Sequence, residues 1–344
     1  MADALGGIGL RIGVFRFTIT PVHLLTVPAV NKANMLRGGF GHAFRRLCCV
    51  PQCRDTKNCP LSNLCPYKAV FEPSPPPGAD RLSKNQDIPR PFVFRAPQTQ
   101  QTRFETGERF EFDLVLIGRA LDFLPYFVLS FRELAGEGLG LNRAKCTLER
   151  VEEIRLSCNG AGLDESKSNL IYRAEDQLFR ATASSGAGEW IATRLCHLAG
   201  SKGGASVERV TIRFLTPTFL RSDGEVVRCP EFHHVFKRLR DRINALNTFF
   251  GDGPLDVDFR GLGRSAEKVW TASSRIEWVE RFRTSSKTHQ RHELSGFVGQ
   301  ATYAFPSLES GNSNHELLQW VALGELTHVG KHAAWGNGHY ELQG

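Results

Sequence analysis

The chain has 344 residues, 41% of them hydrophobic and 23% charged. That is length for about two ordinary domains with real cores, and it excludes a chain disordered throughout. Lys and Arg number 43 against 36 Asp and Glu, a net charge of +7, which favours anionic partners, nucleic acid first and anionic membrane second. No apolar run of roughly 18 residues exists to span a bilayer. The longest candidate, 120–131, is broken by Asp122, Pro125 and Ser130. The opening MADALGGIGLRIG has no cationic stretch followed by a long apolar one. A cytoplasmic protein is expected, with its nine cysteines as reduced thiols or metal ligands rather than disulfides.

In chain order, the first predicted element is a strand over 10–20. Leu10, Ile12 and Val14 alternate in one phase and Phe15, Phe17 and Ile19 in the other. Such a pattern means a bulge or a strand buried on both faces. A helix follows over 32–48, with Leu36, Phe40, Phe44 and Leu47 on one face. A cysteine-rich insert (48–66), a strand-like YKAVFEP and a loop PSPPPGAD come next. Strands are expected at 91–95, 109–117 and 147–156, with a helix over 121–135. Residues 160–164 and 184–188 read as turns.

The second half opens with the strand VERVTIRFL, then a helix over 230–249. Phe232, Phe236, Leu239, Ile243 and Leu246 form its buried stripe, and Lys237, Arg238, Arg240 and Arg242 its basic side. Strands are expected at 268–278 and 294–305. A last helix is expected to start at Ser313, where Ser-Asn-His-Glu has capping-box spacing, before a short final strand. Each half thus reads β-α-β-β-α-β, the order of a ferredoxin-like unit. The expected fold is α+β, with an N-terminal domain over 1–205 and a C-terminal one over 206–344.

The segment HVGKHAAWGNGHY, 328–340, holds three glycines and three histidines. It is not a P-loop, because Gly330-Lys331 is followed by His332. GIGLRIG is not a dinucleotide fingerprint, because no helix pattern follows it. Glycine at such density permits positive φ and close backbone approach. The segment reads either as a turn or as a backbone cradle for a phosphodiester, with Lys331 adding charge and His332 or Trp335 able to stack on a base.

Cys49, Cys53, Cys59 and Cys65 fall within seventeen residues, with Cys48 adjacent. A tetrahedral thiolate site would order an insert with little apolar material of its own, so a structural zinc is expected, with an iron–sulfur cluster as the alternative. His42 lies on the first helix away from the apolar stripe, beside Gly38, Arg45 and Arg46. A histidine with a near-neutral pKa can move a proton at working pH, and flanking guanidiniums can hold a phosphate. His233, His234, His289 and His292 are further histidines that compete for such a role.

These stretches resemble a known family. Gly330-Lys331 followed by Gly336-Asn337-Gly338 looks like the glycine-rich loop (328–338) of CRISPR-associated RAMP proteins, with His328 where the family has its first glycine. GFVGQATYAF, LLQWVALGELTHVGKHAAWGNGHYEL, MLRGGFGHAFRRLCC and CPYKAVFEP resemble the CRISPR repeat-RNA-processing endoribonucleases of that superfamily. The resemblance implies two tandem ferredoxin-like domains and metal-independent cleavage of CRISPR precursor RNA within its repeats. The 2′-hydroxyl would attack, leaving a 2′,3′-cyclic phosphate and a 5′-hydroxyl, with no cofactor for catalysis. It implies His42 as general acid or base facing the loop, with Lys331 and His332 as further catalytic candidates. Lys32 is a candidate for charge stabilisation. Arg37, Arg45, Arg46, His328, Gly330, Gly336 and Gly338 would bind RNA. The partner is CRISPR repeat RNA, with a CRISPR effector complex as a further one and no membrane. The alternative is an inactive repeat-RNA-binding RAMP protein. A third reading, a metal-dependent regulator built on the cysteines, predicts indifference to His42.

Overall fold

The structure is a computed structural model. It describes residues 8–50, 53, 59–61, 64–73, 88–155, 157–158, 163–164, 168–182, 186–199, 207–284, 290–306 and 312–343. All of PSPPPGAD after its first proline, and His289, lie outside these residues.

In the first unit, β1 (Ile12–Pro21) leads into α1 (Lys32–Cys48) and α2 (Pro66–Phe71). Then come β2 (Phe92–Arg95), β3 (Phe110–Ile117), α3 (Leu124–Glu137), β4 (Cys146–Ile154) and β5 (Ser168–Arg173). The strands form one antiparallel sheet in the order β2-β3-β1-β4-β5. After α4 (Ala187–Ala199), the second unit runs β6 (Arg209–Thr218), α5 (Phe232–Phe250), α6 (Phe259–Glu267) and β7 (Trp270–Val279). It ends with the short pair β8 (Phe282–Thr284) and β9 (Arg291–Glu293), β10 (Gly296–Ala304), α7 (Asn312–Thr327) and β11 (Tyr340–Gln343). Its main sheet is ordered β7-β10-β6-β11. Setting aside the extra β5, both sheets have the same order of first, second, third and fourth strand, so the fold is two tandem ferredoxin-like units.

The elements follow from side-chain chemistry. In α1, Leu36, Phe40 and Phe44 are fully buried, and Phe40 stacks on Phe131 of α3 at 5.0 Å between ring centroids. The core under α1 and α3 is built largely of phenylalanine, with Phe15, Phe17, Phe92, Phe94, Phe110 and Phe112 rising from the sheet. The other face of that sheet is apolar too. Ile12, Val14, Val93, Val115 and Ile117 join the cluster that holds Trp320, Val321 and Leu326 of α7. This explains the two apolar phases of β1, and its register against β4 also shifts between Thr18 and Ile19. α7 is therefore shared: it covers the second sheet and plugs the back of the first. Among the described residues, no helix is long and apolar enough to cross a membrane.

Several elements differ from expectation. YKAVFEP is not a strand but carries α2, because Pro66 opens a helix and Tyr67 stacks on Phe71 one turn later at 5.0 Å. Within the turn expected at 184–188, Ala187 and Gly188 belong to α4, whose Ile191 and Leu198 pack into the cluster around α7, and 184–185 lie outside the described residues. The last helix already includes Ser313, so its start lies ahead of the expected capping residue.

α4 is tied to α7 and β11 by a buried ion pair. Arg194 donates through Nε and Nη2 to Glu325 at 2.6 and 2.8 Å, and Glu325 also accepts from the Leu342 amide at 2.7 Å. Removing the cation leaves a buried carboxylate without its partner. Arg194→Ala is expected to cost about 3–5 kcal/mol, read from the urea midpoint, whereas Arg194→Met with Glu325→Leu is expected to cost far less. Equal losses in the two variants would contradict this role.

Candidate functional site

The chain leaves α7 at Thr327 and enters the glycine-rich loop. His328 adopts φ 59, a conformation that favours glycine. Its ring is fully buried, with Nδ1 3.0 Å from the Asn337 carbonyl oxygen, and it stacks on His339 at 4.7 Å. The expected contact of His328 with RNA is therefore corrected: the side chain sits beneath the loop as part of its foundation. Burial, then the neighbouring His339 and Arg95, hold His328 well below its ordinary 6.5, and burial and Arg95 do the same to His339.

The glycines make their close approach to the protein's own chain. At Gly338, φ is 70 and a Cβ would strike the Val329 carbonyl oxygen. At Gly336, φ is 86 and a Cβ would meet Ala33 of α1 and the Phe94 carbonyl of β2. Both residues are buried, so they shape the loop rather than present backbone to a ligand, which corrects their expected role. Gly330 is half-buried against the Phe219 carbonyl, at the edge of the cleft described next.

By crossing to Ala33 and β2, the loop closes one wall of an open cleft of about 930 Å³ between the two units. Arg37 and Arg90 line it from the first unit, and Arg221, Arg238, Arg242, Arg283 and Lys331 from the second. Among the described residues Asp241 is the single lining carboxylate, and it already serves Arg238 at 3.7 Å and Arg240 at 2.8 Å. The basic side of α5 is thereby divided. Lys237 turns to Glu267 at 2.6 Å and Arg240 to the Phe259 carbonyl at 2.6 Å, while Arg238 and Arg242 face the cleft.

Trp335 organises the charge. The guanidinium of Arg37 lies 4.7 Å from its ring centroid and that of Arg283 3.9 Å. Arg37 also lies over Phe71 at 4.6 Å, and its buried Nε has no hydrogen-bond partner. Burial, with Arg90 and Arg283 close by, pulls its pKa down to about 10 against an opposing effect of Tyr67. Cations gathered at such a cost are a ready site for an anion.

Of the proton-transfer candidates, His332 lines the cleft, half-buried at φ 63 on the opening of a short 3-10 turn, and Lys331 is exposed beside it. His42 is not among the cleft-lining residues. It is exposed on α1, five residues beyond Arg37 and so about 140° further around the helix. Its expected position facing the loop is corrected accordingly. Lys32 is buried and donates to the Thr99 carbonyl oxygen at 2.5 Å, Arg46 pairs with Glu137 at 2.6 Å, and Arg45 lies 5.9 Å from the Tyr67 ring. Sequence reasoning missed Arg90, Arg221 and Arg283, which come from three separate segments with no shared pattern.

In the cysteine insert, the Cys53 thiol lies against Cys59 and Cys49, and Cys48 lies near Cys65 and Cys49. The thiols raise one another: Cys53 is pushed up to about 11 by desolvation and then by Cys59 and Cys49. Cys48 is pushed up to about 12 by burial, then by Cys65 and Cys49. A second group, Glu231, His233 and His234 at the start of α5, has ligand atoms within 4.8 Å of one another.

The buried His328–His339 pair sets a pH dependence. Both are neutral in the fold, whereas in the unfolded chain they titrate near 6.5. Stability is then fully present above that value and is lost as pH falls below it. The thermal midpoint is expected to drop between about pH 7 and pH 5, and less so in His328→Asn. A midpoint flat over that range in the natural protein would contradict the burial of the pair.

Comparison with known proteins places this geometry. A family model named AF_1859_N, described as an N-terminal domain, matches residues 10–184, just over half of the chain. The model of the CRISPR-associated endoribonuclease Cas6 matches residues 212–340. No curated protein matches. Among solved structures, Thermus thermophilus Cas6 is 15% identical with a TM-score of 0.53, over 98% of this chain and 100% of that one. A product complex of that Cas6 gives 16% and 0.54 over 97% and 99%. A partial Cas6-RT-Cas1–Cas2 complex gives 12% and 0.56, over 97% of this chain and 46% of that one. The chain thus belongs to the AF_1859_N family, whose model covers just over half of it, and its second half is similar to the CRISPR-associated endoribonuclease Cas6.

Proposed function

We propose that the protein is an endoribonuclease that cuts CRISPR precursor RNA within its repeats to give guide RNAs. The observation that carries the reading is the cleft between the units, where seven cationic side chains face one carboxylate that is already paired. That excess suits a polyanion, and the loop brings a histidine to the same cleft. The solved relatives include one described as a product complex and another as a Cas6-RT-Cas1–Cas2 complex. Repeat RNA is the proposed partner, and a larger CRISPR complex a further one.

The chemistry needs no metal. The RNA's own 2′-hydroxyl attacks the adjacent phosphorus and gives up its proton to a base. The bond from phosphorus to the 5′-oxygen breaks, and that oxygen takes a proton from an acid. A 2′,3′-cyclic phosphate and a 5′-hydroxyl result. His332 is placed to exchange a proton at the cleft, with Lys331, Arg37 and Arg283 beside it to hold the phosphate and the charge that builds on it. His42 can act only on RNA that continues over the outer face of α1. That position favours a second reading, a repeat-RNA-binding protein that does not cut.

Labelled repeat RNA from the same locus, incubated in EDTA, separates these readings. Cleavage at one site is expected. It should fall about 10²–10⁴-fold in His332→Ala while binding is kept, and vanish when the attacking 2′-hydroxyl is replaced by hydrogen. Tight binding without cleavage by the natural protein would establish the second reading. Full loss in His42→Ala with none in His332→Ala would move the proton transfer to α1.

The insert is proposed to hold a structural zinc on Cys49, Cys53, Cys59 and Cys65, the thiols losing their protons to it. The chemistry of the donors fits: mutually raised thiols are a cluster that a bound cation would relieve. An iron–sulfur cluster asks for the same donors and would show by colour. Elemental analysis is expected to find about one zinc per chain, lost in Cys53→Ser with a lower thermal midpoint. Full zinc in Cys53→Ser but none in His233→Ala would assign the metal to the Glu231 group.

A further inference from the structure

The charge in the cleft accounts for a phosphate backbone and leaves the bases without a place. A row of aromatic rings supplies one. Trp335 and Phe219 line the cleft, and Trp278 continues the row with its ring centroid 6.1 Å from that of Phe219. All three residues are half-buried. Each also carries a cation. Arg283 and Arg37 lie over Trp335, Lys331 and Arg221 lie 5.3 and 5.8 Å from Phe219, and Arg228 lies 4.5 Å from Trp278. Among the described residues Arg221, Arg228, Arg283 and Lys331 form no ion pair.

Half-buried aromatic rings set beside unpaired cations are what a single strand of nucleic acid uses. Stacking a base on such a ring is worth about 1–3 kcal/mol, and it tolerates any base. A duplex cannot use it, because its bases are already stacked on one another and turn only edges and phosphates outward. Ordinary apolar packing would instead have buried these rings, as it buries Phe214 and Phe297 on the same sheet.

We propose that RNA crosses this cleft as an unpaired strand, with successive bases stacked along Trp335, Phe219 and Trp278 and its phosphates on the cations between them. The proposal rests on the reading of the cleft as an RNA site and specifies the form of RNA it takes. At Trp335 the guanidiniums already cover the indole, so a base there stacks on a guanidinium plane. At Phe219 the cations stand further off, and the base meets the ring; at Trp278 a single guanidinium, that of Arg228, lies at 4.5 Å and shares the indole with the base. Pairing elsewhere in the repeat is compatible with this, but pairing of the nucleotides inside the cleft is not.

Fluorescence anisotropy measures it, with a labelled unstructured segment of the repeat RNA and the same segment annealed to its complement. The single strand is expected to bind at least about tenfold tighter. Phe219→Leu with Trp278→Leu keeps apolar bulk where Trp278 touches the core. It should lose about tenfold or more on the single strand and nothing on the duplex, with the salt dependence unchanged because the phosphate contacts remain. Phe219→Leu alone, outside the buried core, should show part of that loss and carries the test if the double variant misfolds. Equal affinity for the duplex, or undiminished single-strand binding by the Leu variants, overturns the stacking row and leaves the RNA reading intact. Failure of the natural protein to bind either RNA overturns the RNA reading itself.

Discussion

The structure depends on one shared helix. Trp320, Val321 and Leu326 of α7 belong to a core that also contains Ile12, Val14, Val93 and Val115 from the back of the first sheet. A ferredoxin-like sheet ordinarily needs helices on one face only. Here the second face is covered by a helix of the neighbouring unit, and the apolar area involved disfavours separation of the two. Because α7 is fixed against both sheets, the loop that leaves its C-terminal end starts from a fixed point. Gly336 can then rest on Ala33 of α1 without a hinge between them.

Electrostatic cost marks the site that this arrangement makes. A protein at liberty to do so pairs its arginines, as Arg194 and Arg16 are paired with Glu325 and Asp113. In the cleft Arg37 is instead stacked on Trp335 among other cations, with its pKa lowered to about 10. Stacking recovers part of the cost of gathering like charges, since a guanidinium face is attracted to an indole at close range. The remainder is available to a bound polyanion. The same reasoning separates Lys32, already spent on the Thr99 carbonyl, from Lys331, which is exposed in the cleft wall.

Much of the fold was legible in the sequence. The bounds of α1 follow directly from Leu36, Phe40 and Phe44, because a long, strongly periodic aromatic stripe leaves little choice. α2 was misread because six residues rich in aromatic and branched side chains carry no decisive period, although Pro66 marked a helix start. α4 was hidden behind a Ser-Ser-Gly-Ala-Gly run that imitates a turn. The site was less legible than the fold. The loop is legible as a segment, but its glycines serve its own seating, and although helical spacing sets His42 and Arg37 on different sides of α1, only the fold shows which side meets the cleft. Arg90, Arg221 and Arg283 meet only through tertiary structure, and no local pattern could have joined them.

Hydrogen exchange of the protein with and without its repeat RNA tests the central claim most directly, because it maps the bound surface without altering a residue. The account predicts slowed exchange in the 328–338 loop, at 219–221 and in the first half of α1, on the cleft side of both units. A footprint around Glu231, with the loop and residues 219–221 unchanged, would contradict it.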